Sequence, residues 1–246
     1  MGLFWNKVQK WQKNRHPVCA MVVAAAGASV RMGGENKMLM HLGGMPVLMR
    51  TLLAVDQAER VDEIIVATRE ELLLEVADIC AHADIHKPVK IVQGGETRAA
   101  SVLAAAMECD PKTELIAVHD GARPLIRPEE IDALIEFGAK TYAVAPAIPV
   151  NDTIKVADEN GLVKSTPERK SLYAVQTPQV FQADLLKGAL QAALNSGEPV
   201  TDDCSAVERI GKEVYLTEGN RENIKITTPI DLTMAEAILR RRGETG

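Results

Sequence analysis

Short apolar runs rich in β-branched residues recur along the chain: MVVAA (21–25), EIIVAT (63–68), VKIVQ (89–93), ELIAVHD (114–120) and TYAVAPA (141–147). Most are apolar rather than alternating, which is the pattern of strands buried on both faces. Between them lie stretches of helical length and spacing: PVLMRTLLAVDQA (46–58), EELLLEVADICAHA (70–83), RAASVLAAAMEC (98–109) and RPEEIDALIEFGAK (127–140). Pro128 suits a first helical turn, and Glu129 and Glu130 sit where the helix dipole favours acid. Strand and helix alternate, so the pattern predicts an α/β fold, a mostly parallel sheet covered by helices.

The alternation stops after Pro146. No long helical pattern runs from Ile148 to Pro178. Within this stretch DTIKVADENGLVKSTP reads as two short strands joined at DENG, a hairpin signal. Residues 148–178 are therefore expected to be a β-arm inserted in an α/β body of residues 18–246. Helical patterns then resume at ADLLKGALQAALNSG (183–197) and TDDCSAVERIG (201–211), the latter capped by Thr201 or Asp202. The last helix is expected at TTPIDLTMAEAILRRR (227–242), with Thr228 as cap, Pro229 in the first position and arginines at the end. Residues 1–17 form an N-terminal extension. Phe4, Trp5, Val8 and Trp11 recur near helical spacing there, consistent with a helix packed on the body or with one meeting a partner or a membrane surface.

Composition narrows the function classes. The chain has 246 residues, 46% of them hydrophobic, and a formal net charge of −6. A net acidic chain gives no global reason to bind nucleic acid, so any anion site must be local. No apolar run approaches the length of about 18 residues needed to span a membrane. The four cysteines, Cys19, Cys80, Cys109 and Cys204, are scattered without CxxC spacing, and are expected to be reduced in a cytoplasmic protein.

In open parallel sheets ligands bind at the carboxyl ends of strands. The residues just past each predicted strand are glycine-rich and charged: Gly27, Arg31 and Lys37; GGETRAAS, with Gly94, Gly95, Glu96, Arg98 and Ser101; HDGARP, with His119, Asp120, Gly121 and Arg123; and, late in the chain, Lys225 in NIKITTP. Their convergence on one edge is the strongest physical signal in the sequence. The loop after the first strand suits an anion, because small residues let backbone N–H groups approach and Arg31 and Lys37 add charge. Asp120 reads either as a turn-capping carboxylate or as a hard oxygen donor for a divalent cation beside phosphates. His119 reads as structural more readily than catalytic. Ser101 has no evident His/Asp partner, so serine nucleophile chemistry is not indicated.

AAAGASVRMG…NK, GGETRAASV, HDGARP, TPQVF, TDDCSAVE and NIKITTPIDL stand in order and spacing. In these segments the chain resembles the 2-C-methyl-D-erythritol 4-phosphate cytidylyltransferases of the non-mevalonate isoprenoid pathway, over about Cys19 to Arg241. The resemblance implies a Rossmann-like nucleotidyltransferase body whose β-arm builds a homodimer. It implies transfer of CMP from CTP to the methylerythritol phosphate, with Mg²⁺ and release of pyrophosphate. By the same resemblance Ala25, Ala26 and Gly27 line the nucleotide, Arg31 and Lys37 hold the triphosphate, and Gly95, Glu96 and Ser101 contact cytosine. Asp120 and Arg123 lie near substrate and metal, and Thr177 and Lys225 reach the substrate phosphate and reacting centre. Thr153 and Arg169 enter the partner's site. The chain departs from the family's pattern at Ser29 and Val30, at Asn36 where proline is common, and at Glu96 where some members carry aspartate. Two other readings compete: the same body acting on another polyol phosphate such as ribitol 5-phosphate, and a non-catalytic nucleotide-binding regulator.

Overall fold

The computed structural model describes residues 16–27 and 36–244. The N-terminal extension up to Arg15 and the segment holding Ser29, Val30 and Arg31 lie outside the described residues. The central sheet is built on strands β1 (Cys19–Ala24), β4 (Glu63–Thr68), β5 (Val89–Gln93), β6 (Leu115–Asp120), β7 (Ala143–Pro149), β10 (Tyr173–Val175), β11 (Gln179–Gln182) and β12 (Tyr215–Glu218). A small hairpin, β2 (His41–Leu42) with β3 (Met45–Pro46), precedes the first described helix, α1 (Val47–Gln57). The other helices are α2 (Leu73–His82), α3 (Arg98–Met107), α4 (Pro128–Thr141), α5 (Ala183–Ser196), α6 (Asp203–Arg209) and α7 (Pro229–Arg242).

Side chains of successive strand residues point to opposite faces, so each buried strand feeds two cores. Met21 and Val23 of β1, Ile64 and Val66 of β4, and Leu115 and Ala117 of β6 join one core with Leu48 and Leu52 of α1, Val76 of α2, Ile131 and Ile135 of α4 and Leu239 of α7. Ala20 and Val22, Ile65 and Ala67, and Ile116 and Val118 face the other core, with Val102 of α3, Leu186 and Leu190 of α5 and Val207 of α6. The result is three layers, helix on sheet on helix.

The strands β5, β4, β1 and β6 run parallel and side by side. β1 sits at the centre, and the chain adds β4 and β5 on one side and β6 on the other. That reversal of direction opens a crevice at the strand ends. The register makes those ends level: Ala24 pairs with both Ala67 and Asp120, and Thr68 pairs with Gln93.

Beyond β6 the structure differs from the sequence-based expectation. β11 lies antiparallel between β6 and β7, and β12 runs parallel to β7. Val144 pairs with Val180 and with Tyr215, so β12 occupies the other side of β7. Neither short strand stood out as apolar. Gln179 and Gln182 bracket β11, although Val180 and Phe181 are fully buried, and β12 is half-exposed. NIKITT is a loop pinned by buried Ile226, whose N–H donates to Ala122 O at 2.8 Å.

Between β7 and β10 the chain leaves the body. β8 (Val156–Ala157) and β9 (Val163–Ser165) form a two-stranded hairpin of their own. From Asn151 to Val175 every residue is exposed except half-buried Asp158, Pro167 and Leu172. Among the described residues no helix is long and apolar enough to cross a membrane.

Candidate active site

The level strand ends surround a cleft of about 340 Å³. Ala24, Ala26 and Gly27 line it from β1, Arg69 from β4, Gly95, Glu96, Thr97, Arg98 and Ser101 from the turn into α3, and Asp120 and Ala122 from β6. Lys37 and Lys225 reach the same cleft from loops. Most of the sequence-predicted residues therefore converge. Ala25 does not line the cleft; its side chain is fully buried in the core, with its N–H continuing the ladder to Ala67 O.

The turn into α3 folds tightly back on the first turn of its own helix because it carries two glycines. A Cβ at Gly95 would stand 2.5 Å from the Ala100 Cβ, and one at Gly94 would stand 2.7 Å from Ser101 Oγ. Thr97 caps α3, accepting from Ala100 N–H at 3.1 Å. Ser101 Oγ lies 2.9 Å from Thr97 O and 3.1 Å from Gly95 O and shares its single proton between them, which fixes the loop on which Gly95 and Glu96 are displayed. On the other wall Asn36 starts a tight turn, its Oδ1 accepting from Met38 N–H at 3.0 Å. An Asx turn at Asn36 thus shapes the backbone that carries Lys37.

Asp120 is the electrostatic centre. Only 5% of it is exposed. Its Oδ1 accepts from Arg98 Nη1 at 2.7 Å; its Oδ2 meets Lys225 Nζ at 2.9 Å and Arg123 Nε at 3.2 Å. Burial alone would raise this carboxyl, but Arg98, Lys225 and Arg123 together hold it well below the usual carboxylate range. Behind Arg98 lies Asp203, whose Oδ2 accepts from Nη2 at 2.7 Å and Nε at 3.2 Å. Arg123 also donates to Asn223 O at 2.7 Å, which ties the Lys225 loop to the end of β6.

Beneath Asp120 a neutral network sets its backbone. His119 is fully buried, and its Nε2 faces Arg123 O at 3.2 Å, so Nε2 carries the proton and Nδ1 accepts. Thr177 Oγ1 donates to that Nδ1 at 3.0 Å and accepts from Asp120 N–H at 3.0 Å. Burial brings the imidazole down to about 4, with Asp120 opposing and Arg123 reinforcing the shift. Thr177 is itself 4% exposed. The structure thus places its hydroxyl under Asp120 rather than on the cleft lining.

Thr153 and Arg169 lie on the exposed arm and do not line their own chain's cleft; Arg169 Nη1 donates to Asn151 O at 2.9 Å across the arm's base. Arg31 lies outside the described residues. Sequence reasoning assigned no role to Arg69, Arg98 or Asp203. Arg98 was visible as a charged strand-end residue, whereas Asp203 lay in a doublet read only as a helix start. The free thiols offer no alternative chemistry: burial pushes Cys19, Cys109 and Cys204 up, away from the reactive thiolate.

A glycine-lined parallel-sheet edge with clustered cations fits many nucleotide-binding enzymes, so comparison with known proteins decides among them. Residues 18–241 match the family model of 2-C-methyl-D-erythritol 4-phosphate cytidylyltransferase. The chain belongs to this family. It is 45% identical over 222 residues to the enzyme of that name from Caldanaerobacter subterraneus subsp. tengcongensis, covering 89% of this chain and 98% of the relative. It is 41% identical to the one from Desulforamulus reducens, covering 90% and 95%. Among solved structures it resembles the 4-diphosphocytidyl-2C-methyl-D-erythritol synthase of Anaerococcus prevotii, with TM-score 0.82, 32% identity and coverage of 92% of this chain and all of that one. The Thermus thermophilus 2-C-methyl-D-erythritol 4-phosphate cytidylyltransferase gives 0.73, 30%, 91% and 99%. The fold and the family expected from the sequence motifs are both confirmed.

Proposed function

We propose that this chain transfers the cytidylyl group of CTP to 2-C-methyl-D-erythritol 4-phosphate, giving the CDP-linked alcohol and pyrophosphate. The observation that carries the reading is the cleft itself: a small-residue nucleotide wall on β1 and α3 faces Asp120 and Lys225 across one opening, with Arg123 bound to Asp120 behind them, within a chain of this family.

An oxygen of the acceptor's phosphate attacks the α-phosphorus in line. The new P–O bond forms as the α–β bridging bond breaks, and the electron pair leaves with pyrophosphate. No covalent enzyme intermediate is needed, so catalysis is positioning and neutralisation of charge on the α-phosphoryl oxygens. Ala26, Gly27 and Gly95 leave room for nucleotide, Glu96 and the turn held by Ser101 face the base, and Lys37, with Arg31 from the same loop, binds the triphosphate. Lys225 serves the acceptor phosphate and the reacting centre, with Arg123 and Asp120 fixing its place. The described residues contain no cluster of three His, Cys, Asp or Glu that could hold a metal. Of the two carboxylates lining the cleft among the described residues, Asp120 and Glu96, Asp120 would offer an oxygen to a cation such as Mg²⁺ by giving up one of its present cationic partners, the other ligands coming mostly from phosphates and water. When bound, the cation would offset triphosphate charge.

The apolar arm residues Ile154, Val156, Leu162, Val163, Tyr173 and Val175 are exposed in the single chain. They support a homodimer through residues 148–178, with Thr153 and Arg169 delivered to the partner's cleft. A cytoplasmic location is part of the same proposal.

The test is pyrophosphate release from CTP and Mg²⁺ with methylerythritol phosphate against ribitol 5-phosphate. Preference for the first is expected; preference for the second would reassign the acceptor. Lys225→Ala should lower kcat by at least about 10²-fold in a folded protein, the typical loss of a transition-state charge stabiliser. Near-normal turnover would remove Lys225 from the chemistry.

A further inference from the structure

Asp203 is a carboxylate that the reaction does not explain. It is 1% exposed and absent from the cleft lining. Its Oδ1 is buried without a hydrogen-bond partner among the described residues, so half of its acceptor capacity is unused at a desolvation cost. Nor does the fold need it to start α6. The cap there is Asp202, which accepts from Ser205 N–H at 2.9 Å. Gln179 fastens the same turn, donating to Asp202 Oδ2 at 2.8 Å and accepting from Cys204 N–H at 3.0 Å.

The side-chain hydrogen bonds of Asp203 among the described residues all come from one group, the Nε and Nη2 edge of Arg98. The opposite end of that guanidinium, Nη1, holds Asp120 Oδ1. Arg98 is planar and rigid, so fixing one edge aims the other. We infer that Asp203 is a positioning residue for cytidylyl transfer: through Arg98 it fixes Asp120, and thereby the Lys225 and Arg123 that share Asp120 Oδ2, in one arrangement at the cleft. Arg98 itself lines the cleft, so without Asp203 its freed fork would offer an entering triphosphate a bidentate partner.

The consequence is a split in the kinetic constants. Asp203→Asn keeps the shape of the side chain but frees the Nε–Nη2 edge of Arg98 from its counter-charge. Turnover should fall about 10- to 100-fold, as for other residues that orient a functional group from behind. The KM for CTP should stay level or fall, because a swung Arg98 binds triphosphate unproductively. A merely structural lesion would not produce that combination.

The experiment is a cycle of Asp203→Asn, Arg98→Met and the double variant, with kcat, KM for CTP and thermal midpoint measured on each. Asp203 acting only through Arg98 requires the double variant to turn over no more slowly than Arg98→Met. Asp203→Asn turnover within twofold of the parent, or losses that multiply in the double variant, would overturn the inference. The double variant removes both charges together, so Arg98→Met against the double decides the matter even where Asp203→Asn alone does not fold. The inference rests on the proposed place of Asp120 at the acceptor side, and Asp120→Asn is therefore measured in parallel. Unimpaired Asp120→Asn sinks that reading itself; impaired Asp120→Asn beside unimpaired Asp203→Asn sinks only the role of Asp203.

Discussion

His119 shows how one residue's environment becomes a pH dependence. Its imidazole is neutral and buried between Thr177 and Arg123 O. Its folded value of about 4 lies below the ordinary value near 6.5. Between those values the unfolded chain binds more protons than the folded one, so stability rises with pH from about 4 to about 6.5 and is complete above. The shift corresponds to roughly 3 kcal/mol across that window. Urea unfolding at several pH values should show a steeper rise for the parent than for His119→Gln. Equal slopes would mean that His119 is not held neutral. Within HDGARP the sequence already points to His119 as structural, and the ring does support the backbone of Asp120, through Thr177.

At the scale of elements, close approach to the sheet sets where the covering helices lie. Gly138, in α4, is an instance. A Cβ there would fall 2.6 Å from Val180 Cγ1 and 3.3 Å from Val144 Cγ1, both on fully buried strand residues. Gly138→Ala should therefore destabilise the protein by about 1–3 kcal/mol through overpacking, despite alanine's better helix propensity. A gain in denaturation midpoint would show that α4 can move off β11 without cost. Helix ends were readable because their signals are local. Pro128 starts α4, and Asp231 accepts from the N–H groups of Thr227 and Thr228 at the start of α7, behind Pro229. β11 was not readable, because a four-residue strand flanked by glutamines carries no periodic signal of its own. Its burial comes from β6 and β7 on either side.

The whole molecule adds the arm. A segment exposed from Asn151 to Val175, with six large apolar side chains on its surface, has no core of its own. Under the proposed dimer each cleft needs an arm from the other subunit. Mixing Arg169→Ala subunits with Lys37→Ala subunits should then recover activity, since a heterodimer assembles one cleft that carries both intact residues. Proven subunit exchange without recovery would confine each site to a single chain.

The sequence by itself determined the alternation of buried strands and helices, the inserted arm, the helix caps and the family. These rest on local periodicity, on short-range capping chemistry, or on motifs whose order survives in one dimension. It also brought Gly27, Lys37, Gly95, Glu96, Asp120 and Lys225 to one edge, because parallel strands must end together. Only the tertiary structure decided how the charges pair. Arg98, Arg123 and Lys225 compete for one carboxylate across 22, 3 and 105 positions of chain. Asp203 meets Arg98 across 105 more. Such contacts depend on where the chain folds back and on which groups lose their water there. No spacing in the sequence encodes that, and it is why Thr177 turned inward and Asp203 came into view.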